Sequence, residues 1–287
     1  MRVSKAVGKR LRRLTDWLLS TFGLKLTTRK VYFEAIERAQ RFTESEERAK
    51  KLELLIALSI GEELASKLAS SRSQLGQDYV ALASSGQKLS GFFVEFGAVD
   101  GVKLSNTLLL EKYFGWTGIL AEPNRRYFSQ LSQSRSVSLD NRAVGPQTGL
   151  TLQFLDAGLN SSLHSIRNKK RWAEIPPTYT VETVSLLDLL RHHDAPKEIH
   201  FLSIDTEGNE FATLAAFDFT EYEISCICVE SNGQEEELTE LLLGKGYVTV
   251  LDDFSKWDLW FVRTDKLTNF KQYVANTPGA ENIVIRY

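Results

Sequence analysis

Cysteine is scarce in this chain: its 287 residues include only Cys226 and Cys228. That excludes a disulfide-stapled secreted framework, and their spacing in the apolar run 224–229 places both on one side of a single strand as core thiols. No apolar run is long enough to span a bilayer, and basic residues interrupt the N-terminal stretch too often for a signal peptide, so a cytoplasmic protein is expected. Net charge is nearly absent as well. A formal −2 gives no overall attraction to nucleic acid, and neither an Asn-Pro-Pro-Tyr-like motif nor a basic groove occurs outside the N-terminus. Missing too is the Gly-x-Gly-x-x-Gly turn that sets a pyrophosphate on a helix N-terminus.

What is present is the composition of a globular protein, 43% hydrophobic and 25% charged, in a chain long enough for one large domain and an appendage. In residues 1–24, Val7, Leu11, Leu14 and Leu18 fall at helical spacing beside Arg2, Lys5, Lys9, Arg10, Arg12 and Arg13. This basic amphipathic pattern suits peripheral contact with an anionic membrane, or packing on the domain or on a second subunit of a homo-oligomer. Residues 31–71 continue as helix, with Leu52, Leu55, Ile56, Leu64 and Leu68 on the apolar face, until a serine cluster ends it. The expected division is a helical appendage over 1–72 and a main domain over 73–287.

In the main domain strands and helices alternate. Strands are expected at 92–96, 117–121, 136–139, 150–155, 181–184, 199–204, 224–229, 246–251 and 258–263. Helices are expected near 75–85, 105–114, 124–133, 185–192, 208–216 and 234–244. The alternation predicts an α/β fold with an open, mostly parallel, doubly wound sheet. The last two strands are too close for a crossover helix, so they pair as a hairpin and the final strand is antiparallel. A sheet finished in that way is the architecture of a Rossmann-like methyltransferase. The polar segment 156–180 reads as an acceptor-side loop.

The chain is organised around residues 92–124. An apolar run, Phe92 to Phe96, holds Glu95 and leads into the turn Gly97-Ala98-Val99-Asp100-Gly101. A helix and a second strand follow, ending on Glu122. Glycines admit close approach of a ligand to the backbone, and an acid about 20 residues past such a turn accepts ribose hydroxyls. Glu95 and Asp100 beside the turn would repel a phosphate and welcome a sulfonium, so S-adenosyl-L-methionine suits these charges better than NAD. A second acidic set, Asp205, Glu207 and Glu230, stands where neighbouring strands end. Gathering carboxylates there requires a positive group among them: the sulfonium, a divalent metal such as Mg, or a proton on a general base.

The motifs SQLGQD (73–78), FVEFGAVDG (93–101), LSNT (104–107), GWTGILAEPN (115–124) and LSIDTEGNEF (202–211) together resemble the FkbM family of S-adenosylmethionine-dependent methyltransferases. The resemblance spans about 73–263 and implies a class I methyltransferase fold with O-methylation of a sugar, glycoconjugate or natural product. It implies that Glu95, Gly97, Ala98, Gly101 and Asn106 line the methionine end of the cofactor. Glu122, with Pro123 and Asn124 beside it, would bind the ribose, Asp140 or Asn141 would approach the adenine, and Asp205 would sit under the methionine or a metal.

An alcohol is a poor nucleophile, so a base or metal must assist it. Asp205 and Glu207 are the expected catalytic groups, with Glu230 completing a metal set and His164 as the other candidate base. His192, His193 and His200 precede a strand and are expected at the far end of the sheet. Trp172, Tyr179, Trp257 and Trp260 are candidates for stacking on a sugar. The rival readings are a nicotinamide-dependent oxidoreductase and a membrane-surface scaffold with an inert α/β domain.

Overall fold

The computed structural model describes residues 67, 70–158, 161–163, 177–255, 257–275 and 285–286. The helical appendage expected over 1–72 lies outside them, apart from residues 67 and 70–72. Among the described residues no helix is long and apolar enough to cross a membrane.

Apolar runs become strands, and those at the centre of the large sheet are buried on both faces. The first is β1 (Phe92–Phe96), followed by β2 (Thr117–Ala121) and β3 (Ser138–Asp140). Then come β4 (Ala143–Gly145), β5 (Thr151–Leu155), β6 (Ser162–Leu163) and β7 (Thr178–Ser185). The second half holds β8 (Glu198–Ile199), β9 (Phe201–Ile204), β10 (Glu223–Ile224), β11 (Cys226–Glu230), β12 (Tyr247–Val250), β13 (Asp258–Arg263) and β14 (Ile285–Arg286). The helices are α1 (Gln77–Ser84), α2 (Leu108–Phe114), α3 (Arg125–Ser134), α4 (Leu186–His192), α5 (Glu210–Ala215), α6 (Glu235–Leu243), α7 (Asp252–Ser255) and α8 (Leu267–Ala275).

The large sheet runs β14-β12-β13-β11-β9-β1-β2-β3. β3, β2, β1, β9 and β11 pair in parallel, and β13 is inserted antiparallel between β11 and β12. The mostly parallel sheet with a reversed hairpin strand is therefore present. Side chains alternate between its two faces. Phe93, Phe201, Cys226, Cys228 and Trp260 meet α1, α2 and α8 on one side; Val94, Ile119, Leu202, Ile227 and Phe261 meet α4, α5 and α6 on the other. Both cysteines are buried and unbridged on the same face, as their spacing predicts.

Strands expected at 150–155 and 181–184 do form, but they do not join the large sheet. They build a second one, ordered β4-β7-β5-β6; β4 was not expected, and β6 and the start of β7 fall within the segment 156–180 expected as a loop. The physical reason is visible in their alternation: Thr151, Gln153, Thr178, Thr180 and Glu182 face water, whereas a central parallel strand is apolar on both faces. Phe154, Leu163, Ala143 and Val181 form this small sheet's own core. The strand expected over 199–204 is interrupted at His200, whose N–H bonds Phe92 O at 2.8 Å and whose Nδ1 accepts the Phe92 N–H at 3.0 Å.

Candidate functional site

From β1 the chain moves to β2 and β3 on one side, then returns to β9 and β11 on the other. The carboxyl ends of β1 and β9 thus flank a topological switch point, where open α/β sheets bind ligands. Two hollows meet there and share Phe96, Gly97, Val99, Asp205 and Glu207. Gly97 is required at this point. Its φ is 73°, and a Cβ there would stand 2.0 Å from Asp205 O. Val99, Leu104 and Glu207, which line the hollows, also have φ between 50° and 59°.

The first hollow is mostly apolar. Ala143, Val144, Phe154 and Leu163 line it with Pro123 and Tyr127, so the small sheet supplies much of its wall. Glu122 stands at its edge, buried at the tip of β2. Its Oε2 accepts Val99 N–H at 2.9 Å and its Oε1 accepts Asn124 N–H at 2.7 Å. Each oxygen keeps a lone-pair site for a further donor. Burial pushes the Glu122 carboxyl up to about 7, against the two N–H groups that favour its charged form.

The second hollow, of about 240 Å³, is polar and acidic, lined by Asn106, Asp205, Glu207, Glu230, Trp257 and Asp258 among others. Asp205 directly follows β9 and Glu230 ends β11, its sheet neighbour. Asp205 is exposed in surface area, yet its carboxyl is crowded by neighbouring protein atoms. That crowding, and then the charge of Glu230, raises its carboxyl well above the ordinary range. The Glu230 carboxyl is raised as well, by burial first. Oxygens of Asp205, Glu207 and Glu230 lie within 4.8 Å of one another. Below them the fully buried Glu210 Oε1 accepts Thr206 N–H at 2.8 Å, Gly208 N–H at 3.1 Å and Asn232 Nδ2 at 3.2 Å; Asn232 also donates to Glu230 at 2.7 Å.

The structure thus brings Gly97, Ala98, Asn106, Glu122, Pro123, Asp205, Glu207 and Glu230 to the two hollows. Asn106 donates through Nδ2 to Ser203 Oγ at 2.9 Å, while its Oδ1 is buried without a partner. Other expected residues act differently. Glu95 borders the second hollow, but its carboxylate is taken up by Ser105, Asn106 N–H and Thr107. Asn124 caps α3, accepting Arg126 N–H at 3.0 Å. Gly101 packs beneath the turn against Leu131 and Arg135 rather than lining a hollow.

Asp140 does not face the apolar hollow, because Arg142 holds its carboxylate at 2.6 and 2.9 Å and His193 at 3.0 Å. Asn141 is exposed beside it. His193 is accordingly not at the far end of the sheet: it reaches the carboxyl end of β3, whereas His200 sits at the amino end of β1 as expected. Trp260 is a core residue, 1% exposed, with Nε1 directed to Asp258, so it does not stack on a sugar; Trp257 is the tryptophan at the hollow. Tyr179 packs on Phe154 under the Arg125 guanidinium. His164 and Trp172 lie outside the described residues.

Several participants were not foreseen. Gln77 donates to Asp258 at 2.8 Å and fixes it at the second hollow; burial pushes the Asp258 carboxyl up to about 6. The only available signal was that Gln77 belongs to SQLGQD, a motif to which no role was attached. Phe154 and Leu163 carry no local signal, since they reach the site only through the second sheet.

The FkbM methyltransferase domain model matches residues 95–269, more than half of the chain. Among solved structures, methyltransferase FkbM from Methylobacillus flagellatus KT is similar at 14% identity and a TM-score of 0.44, over 87% of this chain and 69% of that one. Precorrin-6y C5,15-methyltransferase from Geobacter metallireducens GS-15 is similar at 11% identity and a TM-score of 0.37, over 64% of this chain and 85% of that one. No curated protein matches. With the family motifs placed at the switch point and the domain model covering both strand tips, the chain belongs to the FkbM methyltransferase family.

Proposed function

We propose that this chain transfers a methyl group from S-adenosyl-L-methionine to a hydroxyl of a saccharide, glycoconjugate or natural product. The observation that carries the reading is Glu122, a buried carboxylate aligned by two backbone N–H groups beside an apolar hollow. The residues fit the donor. Val144, Phe154 and Leu163 offer an apolar wall to an adenine, Glu122 accepts two ribose hydroxyls, and the unpartnered Asn106 Oδ1 accepts from an ammonium. The donor supplies an electrophilic methyl on a sulfonium, which the acidic second hollow favours over any anionic group. Catalysis is then largely positioning of the acceptor oxygen. Burial raises both carboxyls of the adjacent Asp205 and Glu230, which suits a carboxylate oxygen of the pair to accept the proton of the acceptor hydroxyl.

A second reading of the same carboxylates is a divalent cation held by Asp205, Glu207 and Glu230, favoured by the clustering of their oxygens. A methyl-transfer screen over saccharide acceptors, with and without EDTA and added magnesium, tests both. Transfer that survives EDTA supports the proton-accepting pair; transfer restored only by magnesium supports the cation. No transfer to any hydroxyl acceptor would count against the reaction. A cytoplasmic site of action, with membrane contact or self-association through the basic N-terminal stretch, completes the proposal. Liposome co-sedimentation with and without residues 1–30 tests the membrane contact.

A further inference from the structure

The turn at the methionine end is held from beneath by a side chain that none of the motifs contains. Arg135 directly follows α3, and its side chain has no exposed area. Its Nη1 donates to Gly101 O at 3.0 Å and Ser105 Oγ at 3.1 Å, its Nη2 to Thr107 Oγ1 at 3.0 Å, and its Nε to Glu111. The Ser105 and Thr107 hydroxyls donate in turn to Glu95 Oε2, and Asn106 N–H donates to Glu95 Oε1 at 2.8 Å. A closed set of hydrogen bonds therefore joins the end of α3 to β1 through residues 101–107.

Packing at the same helix end reinforces it. Ser134 Oγ donates to Asp100 O at 2.6 Å. A Cβ on Gly101 would stand 2.5 Å from Leu131 Cδ1 and 2.6 Å from Arg135 Cγ, so the turn lies directly on the helix. α3 thereby braces the cleft at both ends, since the Asn124 that caps its start also donates its N–H to Glu122. A planar guanidinium can serve a backbone carbonyl, two hydroxyls and a carboxylate at once; an ammonium is a point charge without that fork.

We propose that Arg135 is a positioning residue for donor binding, fixing residues 100–107 so that Asn106 and the turn after β1 meet the amino-acid end of the donor. This rests on the reading of the cleft as a donor site. Burial pushes the Glu95 carboxyl upward, and the Arg135 charge is the largest influence opposing it, consistent with Arg135 also preserving Glu95 as an acceptor.

The test is calorimetric titration of S-adenosylhomocysteine into wild type, Arg135→Lys and Thr107→Val, with steady-state kinetics for each. Thr107→Val removes one hydroxyl of the same set at nearly constant volume, so it answers the case in which Arg135→Lys fails to fold. The expected result is an affinity weakened about tenfold or more in the folded variants, as for loss of charge-assisted hydrogen bonds. Turnover at saturating donor and the KM for acceptor should stay within about twofold, because a uniform binding interaction is lost. Folded variants that bind like wild type, or that lose turnover with donor affinity intact, would overturn the proposal. Wild type that binds no S-adenosylhomocysteine would instead remove the donor reading on which it stands.

Discussion

Glu122 Oε2 accepts the backbone N–H of Val99 at 2.9 Å, tying the tip of β2 to the turn that follows β1. That bond joins an elevated carboxyl to a strained backbone, and each half of the relationship has a measurable consequence.

The Glu122 carboxyl stands at about 7 in the fold against an ordinary 4.5. The folded state therefore keeps a proton that the unfolded chain has released between those values. Its contribution to stability is present below about pH 4.5 and is lost as pH rises through about 7. The loss is on the order of 3 kcal/mol. Thermal melts at pH 5 and pH 8 should show Glu122→Gln losing less stability between the two pH values than wild type, although one of the two backbone N–H groups loses its acceptor in the variant. Asp78, also pushed up to about 7 by burial, leaves some pH dependence in the variant. Equal slopes for the two proteins would refute the assignment.

Val99 is β-branched at a φ of 50°. Glycine adopts that conformation without strain, at some cost in chain entropy. Val99→Gly should raise stability by about 1 kcal/mol in urea denaturation. A loss of similar size would mean that side-chain packing outweighs the strain.

The two tryptophans near the reversed strand should separate cleanly. Trp260→Ala empties a fully buried core position and should cost about 3–5 kcal/mol. Trp257→Ala should raise the KM for acceptor several-fold with a smaller stability cost, since Trp257 borders the second hollow. Equal KM values for wild type and Trp257→Ala would remove it from the acceptor side.

Much of this was legible because it is local. The turn at Gly97, the acid after β2 and the carboxylates at the ends of β9 and β11 each directly follow an apolar run. The reversed strand β13 followed from the shortness of its connection to β12. What stayed hidden depends on contacts far apart in the chain. Arg135 looks like any polar residue after a helix until Gly101 and Thr107 are seen above it. Asp140 has the position of an adenine contact, but Arg142 and His193 already hold its carboxylate. Strands β5 and β7 are legible individually, but what assigns them to a separate sheet is the half-exposed alternation of their side chains.

Asp205 and Glu122 are assigned opposite parts, proton transfer and donor binding. Asp205→Asn should lower turnover about 100-fold or more while leaving affinity for S-adenosylhomocysteine within about threefold. Its stability should rise, because a carboxyl crowded by Glu230, Glu207 and Glu210 is replaced by a neutral amide. Steady-state kinetics and melting curves on the one variant check both statements.

The most direct measurement is calorimetric titration of wild type and Glu122→Ala with S-adenosylhomocysteine, with NADH as the competing ligand class. The account predicts saturable one-to-one binding of S-adenosylhomocysteine by wild type, at least tenfold weaker binding by the variant, and no binding of NADH. Wild type that binds NADH, or that takes up neither ligand, would contradict it.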